Sequence, residues 1–263
     1  MRQFGLKLWS SNNQYIKEAS ALYKEDFFQY IELYIVPGTY DKYIESWRGL
    51  SAPFVIHAPH FAHGLNLADR KSRDENFTLA GEAIKFADKL KAQNIIFHPG
   101  INGEIEETVS QLKVINDKRI IVENKPYFAL SGGLICNGST PSEIKLITEK
   151  AKVGFCFDVG HAVYSANAHK IDPADYIREF NGLNPAMYHL TDGDYDGVYD
   201  RHDHFGEGSF PVKDILRILN LNAKITIETK KDNTDNLADF IGDLTKIKKM
   251  RAFGGINNIA AGD

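Results

Sequence analysis

The chain contains 263 residues, of which 43% are apolar and 25% charged, with a formal net charge of −4. This apolar fraction supports a large core and excludes an intrinsically disordered chain. The mildly acidic balance argues against binding nucleic acid through bulk charge, and no apolar run approaches the roughly 20 residues that span a bilayer. With two cysteines and no secretory segment at its start, the chain is expected to be cytoplasmic, without disulfides or a membrane partner.

Short β-branched or aromatic runs bounded by turn signals predict eight strands. They cover residues 4–9, 30–36, 54–57, 94–98, 119–123, 153–158, 187–190 and 224–228. Apolar residues at helical spacing predict helices between them, including 77–90, 140–152, 211–219 and 233–249. This alternation predicts an α/β fold, a single (β/α)8 TIM barrel spanning residues 1–263, with a frayed tail after about residue 253. The absence of a glycine-rich loop after the first strand disfavours an open doubly wound sheet.

Six successive predicted strands carry, at or near their ends, a side chain that binds metals or transfers protons. These residues are His57, His98, Glu123, Asp158, His189 and Glu228. A TIM barrel places its chemistry at the carboxyl ends of the strands, so these side chains are predicted to meet at one mouth. Imidazoles and carboxylates in this mixture suit zinc, manganese or iron. The sequence therefore predicts a metal centre at the mouth of the barrel.

Three further candidate ligands lie in the loops beside that mouth. His161 follows Asp158 by three residues, and Asp200 and His202 belong to the loop after the seventh strand. Residues two apart in an extended segment point to the same side, so Asp200 and His202 can face one cation. Together with His161 they are predicted to hold one more metal ion.

The strings HPG, ENK, FDVGH, HLTD, DRHDHFGEG and IET occur in this order between His57 and Glu228. This ordered set resembles the endonuclease IV family (AP endonuclease family 2) of the xylose isomerase-like TIM barrel superfamily. The resemblance implies a metal-dependent phosphoester hydrolase in which nine ligands hold up to three zinc ions, with manganese or another divalent metal as the other choice. The implied sets are His57, His98 and Glu123; Glu123, Asp158, His189 and Glu228; and His161, Asp200 and His202. His57 matches the family's HAP string, whereas the spacing to Asn66-Leu67 selects His60, so both remain candidates.

The resemblance also implies roles at the mouth. A hydroxide bridging two metals would attack phosphorus, with Glu228 or Glu123 orienting or deprotonating the water. Glu123, Glu228 and His202 are therefore the candidate catalytic residues. The candidate substrate contacts are His60, Arg201 and His204, although His204 also fits a solvated loop position. Two other residues are expected outside the chemistry: His169 at the surface and Cys156 in barrel packing.

Two features depart from endonuclease IV and leave the substrate open between DNA and a small phosphorylated or sugar molecule. The family carries an Asn-x-Arg-x-Trp string after strand two, whereas residues 36–40 here read VPGTY, without arginine. Strand two instead resembles the strand of sugar isomerases and epimerases in the same superfamily. The alternative function is thus a divalent-metal-dependent sugar or sugar-phosphate isomerase or epimerase acting through an enediolate. Glu32 on that strand is expected to form an ion pair, and the loop 125–139 fits a substrate lid and an ordinary surface loop equally well.

Overall fold

The computed structural model describes residues 2–130 and 133–252. Parallel strands pair in sequence order and close into one barrel, because the first strand also pairs with the eighth. The strands are β1 (Gln3–Trp9), β2 (Tyr30–Tyr34), β3 (Phe54–His57), β4 (Ile95–Phe97), β5 (Ile120–Glu123), β6 (Gly154–Asp158), β7 (Met187–Leu190) and β8 (Lys224–Ile227). The predicted (β/α)8 barrel is confirmed, and the tail expected to fray after about residue 253 lies outside the described residues.

Helices surround the barrel between successive strands. They are α1 (Ile16–Lys24), α2 (Tyr40–Arg48), α3 (Arg73–Lys89), α4 (Ile105–Ile115), α5 (Pro141–Ala151), α6 (Val159–His169), α7 (Pro173–Asn181), α8 (Val212–Ile218) and α9 (Ala238–Ala252). α5 begins where the sequence predicted, because the side chain of Thr140 accepts from the backbone of Glu143 and the Glu143 carboxylate accepts from that of Thr140. α9 begins five residues later than predicted, because Asn236 Oδ1 caps it by accepting from the backbone N–H of Ala238 at 2.9 Å.

The interior of the barrel is closed at its lower level by an apolar cluster that we call the floor. It consists of Tyr30, Val55, Ile96, Ile121, Cys156 and Met187. Cys156 packs in the floor as expected, and its thiol also lies within reach of Glu123 and His189. Gly5 leaves the space for the Tyr30 ring, since a Cβ atom at Gly5 would lie 2.3 Å from that ring. The floor thereby separates the mouth of the barrel from its opposite end.

A second interior level, which we call the polar ring, lies directly above the floor. Each strand, or the residue directly after it, contributes a side chain two positions beyond a residue of the lower level, which Gly5 of β1 and Thr226 of β8 complete; residues two apart point to the same side of a strand. The polar ring consists of Lys7, Glu32, His57, His98, Glu123, Asp158, His189 and Glu228. The register pairs Lys7 with Glu32 and Asp158 with His189, so the ring residues of neighbouring strands lie side by side.

The other face of each strand packs against the helices. Phe157 of β6 stacks on Phe180 of α7 with 5.5 Å between ring centroids, and Trp47 of α2 is fully buried. None of the helices in the described ranges combines the length and the hydropathy that crossing a membrane requires. The helices thus cover the outer face of the barrel and leave the carboxyl ends of the strands accessible.

Candidate metal centre

The first group of potential ligands joins β3, β4 and β5. His57 Nε2 lies 3.1 Å from Glu123 Oε2, and His98 Nε2 lies 3.2 Å from the same oxygen. His60, the alternative ligand of the third strand, instead stacks its ring on His98 at 5.5 Å and accepts from the backbone of Ala62. The geometry therefore brings His57, and not His60, into the group that could hold a metal ion.

The second group surrounds His189 on β7. Its Nε2–H donates to Glu32 Oε2 at 2.9 Å, which leaves Nδ1 facing three carboxylates. Nδ1 lies 3.3 Å from Glu123, 3.8 Å from Asp158 and 3.1 Å from Glu228. Within the described residues, His189 Nδ1 and Asp158 Oδ2 are both buried without a hydrogen bond. Unsatisfied buried polar atoms are costly, and a cation between them removes that cost.

The third group lies in the loops beside the ring. Asp200 Oδ2 lies 3.1 Å from His161 Nε2 and 2.7 Å from His202 Nε2. Asp200 Oδ1 is buried without a hydrogen bond in the described residues. His202 adopts a left-handed backbone conformation with a φ of 52°, which directs its ring back toward Glu228. The predicted trio is thus brought together.

Three of the five histidines in these groups share a hydrogen-bonding pattern that fixes which nitrogen can bind a metal. Nδ1–H donates to a backbone carbonyl in each of them: His57 to Ala58 at 2.8 Å, His161 to Asn124 at 2.8 Å, and His202 to Glu228 at 2.6 Å. A carbonyl only accepts, so Nδ1 carries a hydrogen, and Nε2 is the nitrogen that faces a carboxylate and could bind a metal. Metal-binding histidines show this arrangement because the second nitrogen orients the ring.

Local hydrogen bonds at the start of α6 position the side chains of the DVGH segment, residues 158–161. Asp158 Oδ1 caps the helix by accepting from the backbone N–H of His161 at 2.7 Å. Asn124 ties β5 to β6, because its side chain donates to Asp158 O and accepts from Asp158 N, each at 2.8 Å. Asp158 therefore keeps Oδ2 free while His161 is presented one helical turn further on.

The prediction from the sequence does not include two lysines that lie in the centre. Lys7 Nζ lies 3.1 Å from Glu32 Oε1 and also contacts Glu228, so the ion pair expected of Glu32 forms inside the polar ring. Lys125 Nζ lies 3.2 Å from Glu123 Oε1. The sequence did contain a signal for Lys125, because this residue follows Glu123 by two positions and so lies on the same side of the chain.

The pKa values of the centre reflect the competition between burial and charge. Burial raises the pKa of Glu123, but Lys125, His98 and His189 outweigh it and hold that pKa well below its usual range. Burial lowers the pKa of His161, yet the carboxylates of Asp158 and Asp200 outweigh it and raise that pKa to about 9. Burial, reinforced by Lys125, lowers the pKa of His98. Glu123 is therefore ionised and attracts cations at neutral pH, and without a metal the His161 ring is protonated.

The centre opens into a cavity of about 820 Å³. One wall is aromatic and includes Trp9, Tyr34 and Phe61. The rim is cationic and includes Arg201, Lys230 and Lys231. Residues of the loop after β5 also line the cavity, namely Lys125, Pro126, Phe128, Ala129 and Leu130. Such a cavity is within the size range of small-molecule sites.

Three other histidines were weighed from the sequence, with different outcomes. His60 lines the cavity, as does Arg201, in keeping with a substrate contact. The solvated position considered for His204 is wrong, because its ring is buried and Nδ1 bonds Asp243 Oδ2 of α9 at 2.6 Å. It is also absent from the cavity lining. His169, expected at the surface, is only partly exposed there, and its ring packs edge-on against Tyr127 at 4.7 Å.

Fold and site together define a TIM barrel with a candidate metal centre at the carboxyl ends of its strands. The chain belongs to the xylose isomerase-like TIM barrel family, whose profile matches residues 26–250. It is 25% identical to a probable endonuclease 4 of Mycoplasmopsis pulmonis over 214 residues, which cover 72% of this chain and 75% of the relative. It is 30% identical to a probable endonuclease 4 of Thermoplasma volcanium over 167 residues, 57% of each chain.

Solved structures of two functional kinds share the fold. Endonuclease IV from Thermus thermophilus superposes with a TM-score of 0.73 at 17% identity, covering 95% of this chain and 99% of its own. A D-tagatose 3-epimerase-like protein superposes with a TM-score of 0.72 at 22% identity, covering 95% and 97%. At such identities the superpositions show the fold alone, and the named relatives are enzymes of both hydrolase and epimerase type.

Proposed function

We propose that this protein is a metal-dependent phosphoester hydrolase of the endonuclease IV type. The observation that carries the proposal is an arrangement shared by four histidines. One ring nitrogen of each donates a hydrogen bond that orients the ring, and the other nitrogen then faces a carboxylate of the centre. His57, His161, His189 and His202 all follow this arrangement. Nitrogen lone pairs facing carboxylate oxygens repel each other unless a cation or a proton lies between them. Three such meeting points occur in one mouth, which favours a multinuclear centre.

Each meeting point offers a ligand set of the kind zinc prefers. His57, His98 and Glu123 would hold one ion; Glu123, Asp158, His189 and Glu228 a second; and His161, Asp200 and His202 a third. Up to three zinc ions, or manganese in their place, would polarise a phosphoryl oxygen and acidify a water molecule at neutral pH. Glu123 would bridge two of the positions, since its Oε2 contacts His57, His98 and His189.

Residues of the mouth supply the remaining steps. Glu228 and Glu123 are the candidate general bases, because both carboxylates face the interior where a water would be activated. His202, which lies beside Asp200, would respond to the negative charge that develops on the leaving oxygen. Arg201, with its side chain half exposed at the rim, would meet the phosphate on entry.

A small phosphorylated molecule fits this mouth better than a DNA duplex. The segment after β2 lacks the family's arginine and is tied back to α3, because the backbones of Gly38 and Tyr40 donate to the Glu82 carboxylate at 2.9 and 3.0 Å. That segment is therefore held against the helix shell. The aromatic wall of the cavity suits a ring-bearing substrate, and the cationic rim suits its phosphate.

A sugar isomerase or epimerase is the second candidate. The observation in its favour is that Glu123 and Glu228 approach His189 Nδ1 from two sides, at 3.3 and 3.1 Å. Two carboxylates beside one metal position are what proton transfer next to a carbonyl needs. One ion held by Glu123, Asp158, His189 and Glu228 would then suffice.

Substrate assays with matched variants test the proposal. Zinc-loaded protein is incubated with bis(p-nitrophenyl) phosphate, small sugar phosphodiesters, an abasic-site duplex and a panel of ketoses. We expect phosphodiester cleavage that a chelator abolishes and zinc restores, and that Glu228→Gln removes. Asp196→Asn, an exposed carboxylate of the loop after β7, should leave it intact. Epimerised ketose with every phosphoester untouched would replace the hydrolase with the second candidate.

A further inference from the structure

Lys125 lies between the second and third groups of potential ligands. Its Nζ is 3.2 Å from Glu123 Oε1 and 3.2 Å from His161 Nε2, and its side chain is only 12% exposed. The loop holds it there, since the Lys125 backbone N–H donates to Gly138 O at 3.0 Å. An ammonium group is thus built into the centre, in contact with residues of two different metal positions.

This ammonium group lies beside the donor atom that the third metal position needs. His161 donates Nδ1–H to the carbonyl of Asn124, so Nε2 is the nitrogen that could bind a metal. In this structure that atom lies 3.2 Å from Nζ of Lys125. A zinc ion bound to Nε2 at about 2.1 Å would lie well inside the contact distance of the ammonium group. Lys125 and a third ion therefore compete for one position.

Charge balance points the same way. Five carboxylates face the centre, namely Glu32, Glu123, Asp158, Asp200 and Glu228, and two ammonium groups, Lys7 and Lys125, leave a charge of −3 to be balanced. Counted with neutral histidines, two divalent ions bring the centre to +1, whereas three bring it to +3. Excess charge is penalised in a poorly solvated interior, so two ions suit this centre better than three.

We propose that Lys125 supplies the third positive charge of this centre and limits it to two tightly bound divalent ions. The trio His161, Asp200 and His202 then serves as a weak third position, filled only when Lys125 moves away. This inference rests on the proposed metal centre, but it concerns the number of ions and not the reaction that they support.

Metal counting on the intact protein tests it. Zinc per chain is measured by mass spectrometry after gel filtration in metal-free buffer. We expect two ions in the wild type, three in Lys125→Met, and two in Lys125→Arg, which keeps the charge. Lys230→Met is the matched control, since Lys230 lines the same cavity but pairs with Glu207 at 3.4 Å; it should retain two. Three ions in the wild type, or two in Lys125→Met, would overturn the proposal.

A zinc titration of the wild type alone gives a second measurement that does not depend on the folding of a variant. We expect a third ion to bind at least tenfold more weakly than the first two, and equal affinity for all three would refute the role of Lys125. Protein that shows this stoichiometry but cleaves no phosphoester refutes the proposed function and leaves this inference standing.

Discussion

Glu32 accepts a hydrogen bond of 2.9 Å from Nε2 of His189, and both side chains are fully buried in the polar ring. Thr226 donates to the same Glu32 oxygen at 2.7 Å, and Lys7 pairs with the other oxygen at 3.1 Å. These contacts hold the carboxylate in place, and the carboxylate fixes which nitrogen of His189 faces the metal position. Glu32 thus acts on the centre through His189.

Glu32→Gln should weaken zinc binding about 10- to 100-fold, the usual cost of losing a carboxylate that orients a metal-binding histidine. The amide can still accept from His189, but it loses the charge that pairs with Lys7. Competition with a chromophoric chelator measures the affinity. Glu45→Gln is the control, since that side chain is 66% exposed on α2 and should change nothing. Unchanged zinc affinity in Glu32→Gln would contradict the role given to Glu32.

Much of this site could be predicted because strand geometry repeats every two residues. Six of the ring residues lie at or next to strand ends, where the barrel fold places its chemistry. Lys7 was missed because it lies two residues before the end of β1 and because lysine is not a usual metal ligand. Its pairing with Glu32 is a matter of register between β1 and β2, which one sequence does not reveal.

The errors concern side chains whose partners lie far along the chain. His204 looked like a solvated loop residue, yet its partner Asp243 comes 39 residues later on α9. His169 looked fully exposed, yet it is partly covered because it packs on Tyr127 from the loop after β5. Local patterns carry no information on such contacts. They depend on how a particular helix or loop settles against the barrel.

Glu123→Gln should lose metal binding and activity together while the barrel remains folded. The neutral amide offers the histidines around it no negative charge, so a bridged pair of ions would lose its shared ligand. Zinc content by mass spectrometry and phosphodiester turnover measure the two losses, and circular dichroism checks the fold. Glu149→Gln, a largely exposed carboxylate on α5, is the control. Full activity in Glu123→Gln would refute the bridging role.

Removal of metal should destabilise the protein, because it leaves ionised carboxylates and buried nitrogens without partners. A ligand that binds only the folded state at 100 times its dissociation constant adds about 2.7 kcal/mol of stability. We therefore expect Tm to rise with free zinc and to fall in chelator. Differential scanning fluorimetry measures the shift. Glu123→Gln should show a smaller shift than the wild type, and identical Tm values for wild-type protein in zinc and in chelator would exclude a tightly bound metal.

Gly5 supports the floor on which the polar ring rests, and replacing it should destabilise the barrel. A Cβ atom at position 5 would lie 2.3 Å from the Tyr30 ring, which is packed in the floor and cannot swing aside. Overpacking of this kind typically costs about 1–3 kcal/mol, so Gly5→Ala should lower the free energy of unfolding by that amount.

Gly81→Ala is the matched control, because a Cβ atom there meets nothing within 4 Å. Gly81 lies inside α3, where alanine is favoured over glycine by roughly 0.5–1 kcal/mol, so this variant should be more stable than the wild type. Urea denaturation of both variants measures the difference, and equal effects of the two substitutions would show that the Tyr30 ring does not depend on a glycine at position 5.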